Sequence, residues 1–252
     1  MNQEELNEIL RLHLMWLCDL RGGRRADLSG AALSEVDLSG ANLTGSYLIE
    51  TDLSYADLRG VDLHGADLSG SDLKGANFRE ACLDTADLTG ADLIGANLSG
   101  ANLAKADFYK ADLTRADLSG ANLKETSLKG AILHWANLRG ADLTGANLCD
   151  ANLDTADFRE TILTGGNLHG ADLHNTDLKD AKLPQGCKYY ADLPKHDIII
   201  VHDVAHIGCH SRQLTDWLDR GQWIGTINGY TEDEIKVYME ILRREYESRR
   251  TE

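Results

Sequence analysis

The chain has 252 residues, 41 Asp and Glu against 25 Lys and Arg, and a net charge of −16. So acidic a balance argues against direct nucleic-acid binding and against attraction to anionic membranes. Five widely spaced cysteines (Cys18, Cys82, Cys149, Cys187, Cys209) suit a reducing cytoplasm, and the sequence shows no secretory leader or membrane-spanning run.

In chain order, residues 3–20 read as an amphipathic helix. Leu6, Ile9, Leu10, Leu14, Trp16, Leu17 and Leu20 make a broad apolar face, and Gly22-Gly23 ends the helix. A helix before a repeat region is expected to cap it, so residues 1–25 form an N-terminal cap.

From residue 26 to 183 the chain repeats every five residues as Ala-(Asp/Asn)-Leu-x-x without a slip. The central place is Leu or Phe (Phe78, Phe108, Phe158) in all 32 repeats. Two residues before it stands Ala in most repeats and otherwise Ser, Thr, Val or Gly. A period of five is neither that of a helix nor that of a strand. It suits a chain that bends once per repeat, with the central residue and the small residue inward and three residues outward. Gly in the last place of 16 repeats fits such a bend. Coils of this kind stack main chain on main chain, which makes a β-solenoid. The period does not decide between three and four sides.

Here the chain resembles the pentapeptide-repeat family. The resemblance implies an all-β repeat solenoid, a right-handed quadrilateral β-helix of about eight coils, about 38 Å long at ~4.8 Å per layer. The run Leu10-x-x-His13-x-x-Trp16-Leu17 before Arg25-Ala26-Asp27-Leu28 is similar to the leading helix of many bacterial and phage members. The family further implies DNA mimicry: binding to the DNA gate of a type II topoisomerase such as gyrase, as a homodimer joined through its C-terminal end, in resistance or immunity.

The repeat stops at Pro184. Residues 184–252 read as a small C-terminal α+β module: β-rich over 197–209, helical near 211–219, and helical again after the capping box Thr231-Glu232-Asp233-Glu234. Ile207-Gly208-Cys209 is similar to a module appended to some pentapeptide proteins, which carries a His where this chain has Arg212. His202, His206, Cys209 and His210 are the residues of metal-ligand type, but their spacing matches no zinc pattern. No catalytic motif is recognisable, so no catalytic residue, metal or cofactor is expected.

The expected function is that of a non-enzymatic protein-interaction rod, with DNA mimicry as the alternative and a small enzymatic or metal-binding activity in the C-terminal module as a second one. Placing repeats on faces every 20 residues gives net charges of −4, −5, −3 and −1 for the faces starting at Ala26, Ala31, Val36 and Ala41. Two acidic stripes result: Asp67, Asp87 and Asp107 on the first face, and Asp52, Asp72, Asp92 and Asp112 on the second. Large outward residues are rare, so Ile94, Ile132 and Trp135 on the second face and Tyr109 on the first form a candidate apolar patch for a protein partner.

Overall fold

The structure, a computed structural model, describes residues 1–190, 193, 197–201, 204–207, 210–219 and 230–249. It divides into two compact units, Met1–Asp172 with Thr176–Gln185, and Leu173–Asn175 with Gly186–Glu252.

The first unit is a coil with a register of 20 residues. The second place of each repeat forms a parallel bridge with the second place 20 residues on, from Asp27↔Tyr47 to Ile162↔Lys182, so four repeats make one turn. Every backbone donor of a repeat is accounted for, as Ala66–Gly70 illustrates. The N–H of Asp67 donates to the carbonyl of Ser46 in the preceding coil. Those of Leu68 and Gly70 donate to Asp87 and Thr89 in the following coil. The Ala66 N–H closes a four-residue turn onto Leu63. The fifth, on Ser69, has no backbone acceptor and donates to Asp67 Oδ1 at 3.0 Å. Asn97 accepts the N–H of Ser99 in the same way, also at 3.0 Å. The second place is thus an Asx turn that needs one side-chain oxygen, which Asp and Asn supply equally.

The central residues form the axial core. Every one from Leu28 to Leu178 is buried, none more than 5% exposed. Phe78, Phe108 and Phe158 are wholly buried in the same stack. Leu183, at the end of the series, is only half-buried.

The last place of each repeat lies in the left-handed region whether or not it is Gly. Glycines there have φ of +60° to +73°, and non-glycine residues such as Thr85 (+59°) and Trp135 (+60°) adopt the same angles. A β-branched residue is strained in that region. Thr85→Gly should therefore raise stability, by about 0.5–1 kcal/mol after the backbone entropy of Gly is offset. Urea denaturation of the two proteins checks this, and an unchanged or lower midpoint would contradict it.

The N-terminal helix α1 (Gln3–Leu17) starts with a capping box between Asn2 and Glu5. It ends earlier than the glycines suggest. The N–H of Leu20 reaches the Met15 carbonyl and that of Asp19 reaches Trp16, with Asp19 at φ +53°. This is a Schellman stop with Asp in the place usually held by Gly. Gly23 serves close approach instead. A Cβ there would come within 2.3 Å of the Trp16 backbone nitrogen, so the returning chain passes directly against the helix. The apolar face is also narrower than expected. Only Leu6 and His13 are buried, whereas Leu14, Trp16 and Leu20 are exposed. His13 Nδ1 accepts the N–H of Ala26 at 3.0 Å and ties the helix to the first coil. Burial, then the nearby Arg25 charge, holds the imidazole below its usual pKa against a weaker opposing effect of the Thr44 backbone.

In the second unit four strands, β1 (Lys188–Tyr190), β2 (Ile198–Val201), β3 (Val204–Ile207) and β4 (His210–Gln213), form an antiparallel meander in the order β1-β2-β3-β4. Short helix α2 (214–219) and helix α3 (Glu232–Arg249) follow. The reading of 211–219 as helix is corrected at its start, because residues up to Gln213 pair with β3. Ile198, Ile200, Ala205, Leu214, Trp217, Tyr238 and Leu242 make the core of this unit. Trp217 Nε1 donates to the Ala205 carbonyl at 3.1 Å. The capping box at α3 is formed: Glu234 N–H donates to Thr231 Oγ1, and the Glu234 carboxylate accepts from the Thr231 N–H.

Candidate interaction surface

The 20-residue register stacks the acidic residues as columns. Asp52, Asp72, Asp92 and Asp112 bridge in succession, as do Asp67, Asp87 and Asp107. In every one Oδ1 accepts the N–H two residues on, at 2.9–3.2 Å. At Asp52 the Ser54 hydroxyl, with the Ser54 N–H, holds the carboxyl below the usual range. The two columns differ in how they are neutralised. Lys74 Nζ lies 2.9 Å from Asp92 and 3.2 Å from Asp72, so one cation serves two carboxylates. Asp52, Asp67, Asp87, Asp107 and Asp112 have no cationic side chain within ion-pair distance among the described residues. The second stripe is therefore interrupted at its centre, whereas the first runs unneutralised over three coils. Lys74, in the fourth place of that same face, was the sequence signal for the interruption.

The outward apolar residues are exposed: Ile94 by 36%, Tyr109 by 37%, Ile132 by 39% and Trp135 by 56%. Ile132 continues the Asp92–Asp112 column. The Arg115 guanidinium lies 5.7 Å from the Trp135 ring centroid, and Lys110 Nζ lies 5.1 Å from that of Tyr109. Sequence reasoning missed Tyr55, the most exposed large apolar residue of the repeats at 68%. Its signal was a large residue in the last place, on the same face as Trp135.

Of the residues of metal-ligand type, His202 and Cys209 lie outside the described residues. His206 is buried in β3, and the His210 backbone pairs with Ile207. Among the described residues no group of three or more His, Cys, Asp or Glu is placed to hold a metal. A polar cluster that the sequence did not signal lies on the least acidic face. Asp84 accepts from the Cys82 thiol at 2.8 Å and lies 2.6 Å from His64 Nδ1. Burial, then the bond to Asp84, pushes the thiol pKa up, which makes it a poor nucleophile. Among the described residues no helix is long and apolar enough to cross a membrane.

Several solved structures resemble the chain. Rfr23, a pentapeptide repeat protein from the cyanobacterium Cyanothece 51142, is 46% identical over 36% of this chain and 63% of its own, with a TM-score of 0.36. HetL, a pentapeptide repeat protein involved in heterocyst differentiation regulation from Nostoc sp. strain PCC 7120, is 37% identical over 64% of this chain and 84% of its own, with a TM-score of 0.33. A trypsin-treated form of QnrB1, a plasmid-mediated fluoroquinolone resistance protein, is 24% identical over 63% of this chain and 90% of its own, with a TM-score of 0.32. No curated protein matches the chain. The family model described as pentapeptide repeats matches in overlapping copies over residues 26–65, 51–90, 81–120, 106–145, 116–154 and 141–180. No enzyme family is among these matches. With this model covering more than half of its length, and with four five-residue repeats to each 20-residue turn, the chain belongs to the pentapeptide-repeat family.

Proposed function

We propose that the protein is a non-enzymatic interaction module whose coil surface binds a protein partner. One observation carries the reading: exposed large apolar side chains stand on the same two faces as carboxylates that have no cationic partner among the described residues, namely Asp52, Asp67, Asp87, Asp107 and Asp112. A solvated scaffold needs neither, because Asn closes the same turn without charge and small residues fill most outward places. Cys18, Cys82 and Cys149 are free thiols, which fits a reducing compartment.

The test separates charge from fold. Replacing Asp67, Asp87 and Asp107 by Asn keeps the turn acceptors, so stability should hold. Exposed ion pairs are weak singly, about 0–1 kcal/mol each, but together the three changes should slow association and flatten its salt dependence. Asp72→Asn with Asp92→Asn should do less, because Lys74 already offsets one of those two charges. Recovery from a host lysate at low and high salt, compared between wild type and the triple variant, reads this directly. Identical recovery would remove the acidic surface from the proposal.

A second reading, mimicry of DNA toward a type II topoisomerase, draws on the Asp67–Asp87–Asp107 column. The repeats carry a net charge of −13. Over about 38 Å that is roughly half the charge density of duplex DNA. A gyrase supercoiling assay tests it, with inhibition or fluoroquinolone protection at micromolar protein as the supporting result.

A further inference from the structure

On the second face the last places of successive repeats run Tyr55, Gly75, Gly95, Arg115, Trp135, one residue per coil. The Tyr55 ring lies down over Gly75, where a Cβ would come within 2.6 Å of it. Arg115 has its guanidinium 5.7 Å from the centre of the Trp135 ring, on the coil beyond it. Between these two groups Gly95 is bare, and a Cβ there would meet nothing within 4 Å. From Gly75 to Arg115 is two coil steps, about 10 Å. The result is a notch with a glycine floor, the Tyr55 ring at one end, Arg115 at the other, and Ile94, 36% exposed, beside the floor. In the same coil as Arg115 stands Asp112, one of the carboxylates without a cationic partner.

We propose that this notch receives one large apolar side chain of a partner protein, presented by a helix that also carries Lys or Arg one turn away for Asp112. This rests on the interaction-module reading and names its partner by chemistry. The charge selects the partner: with Lys74 and Arg115 counted, this face still carries a net −5, which repels nucleic acid and anionic lipid and attracts a basic segment. The size selects the anchor, because a gap about two coils high holds one side chain. The spacing fits a helix, whose residues three or four apart lie ~5–6 Å from each other, close to the ~4.8 Å between coils.

Two synthetic peptides test the idea: a helical peptide with Leu on one face and Lys on the other, and a polylysine peptide of equal charge. Titrated by fluorescence anisotropy, the Leu–Lys peptide should bind wild type about tenfold tighter than polylysine, as one buried anchor would provide. Gly95→Tyr fills the notch, and Tyr55 shows that tyrosine is accepted in this place at φ +58°. That variant should lose the tenfold preference and leave polylysine binding unchanged, whereas Asp112→Asn should weaken both peptides. Circular dichroism confirms that each variant is folded. Equal binding of the two peptides to wild type, no binding of either, or a preference that survives Gly95→Tyr overturns the notch. None of these touches the broader reading, which stands or falls on the Asp67, Asp87 and Asp107 variant.

Discussion

Leu103→Ala should destabilise the coil by about 2–5 kcal/mol. Leu103 is wholly buried at mid-coil, and both layers against it are held by main-chain bonds: its N–H donates to the Asn122 carbonyl in the following coil, and the adjoining Asn102 N–H donates to the Ala81 carbonyl in the preceding one. Those bonds resist collapse of the stack, so the cavity stays open and the upper part of the range applies. In a solenoid each layer contacts only its neighbours, so a weak middle layer also breaks cooperativity between the two halves. Urea denaturation followed by circular dichroism should show a lower midpoint with a broader transition. Leu103→Met, which conserves volume, should cost under about 1.5 kcal/mol. Equal effects of the two substitutions would mean that the axial stack is not close-packed.

The second large effect is expected at Glu245, in the last turns of α3. It is 3% exposed, with Lys188 Nζ at 2.9 Å, and its carboxylate accepts from the Tyr190 hydroxyl. Burial pushes the carboxyl pKa up, but the Tyr190 hydroxyl and the Lys188 ammonium outweigh it and hold the group below its ordinary value. The folded pKa therefore lies below the unfolded one. The stability gained is fully present above the unfolded carboxyl pKa of about 4.3 and is lost as pH falls through the folded pKa. Lys188→Met leaves a buried carboxylate with the hydroxyl as its nearest remaining partner. At pH 7 it should cost about 1–3 kcal/mol, less than a fully buried pair, because the Lys188 side chain is half exposed and Tyr190 still donates. As pH falls through the folded pKa the carboxyl is protonated, and the gap between wild type and variant should close. Hydrogen exchange of the α3 amides, followed from pH 7 down through the acid range, measures both. A gap independent of pH would mean that Lys188 acts by packing alone.

Much of the first unit was legible because its structure is local. The five-residue period, the inward Leu and Phe, and the Gly-rich bends follow from the bonds that each repeat makes with the coils beside it. The Asp/Asn place is the same kind of case, since its acceptor serves an N–H two residues away. In the second unit the capping box of α3 was readable for the same reason, as Thr231 and Glu234 are three residues apart. Strands β1 and β4 were not. His210–Gln213 has no apolar alternation, and it is a strand because it lies at the edge of the sheet and pairs with β3.

The sequence by itself determined that the chain bends every five residues and which atoms go inward, because hydrophobic burial and turn chemistry act within one repeat. Only the tertiary structure decided what the surface offers. The number of sides depends on the 20-residue bridge register, which the period alone leaves open. Lys74 pairs with both Asp72 and Asp92 because its long side chain reaches carboxylates in two layers, and no linear pattern states where a flexible side chain will lie. The bare floor at Gly95 is bounded because Tyr55 leans over Gly75 in the coil beyond its own, while Gly75 has no side chain to lean over Gly95. Those contacts join residues 20 apart in sequence and adjacent in space.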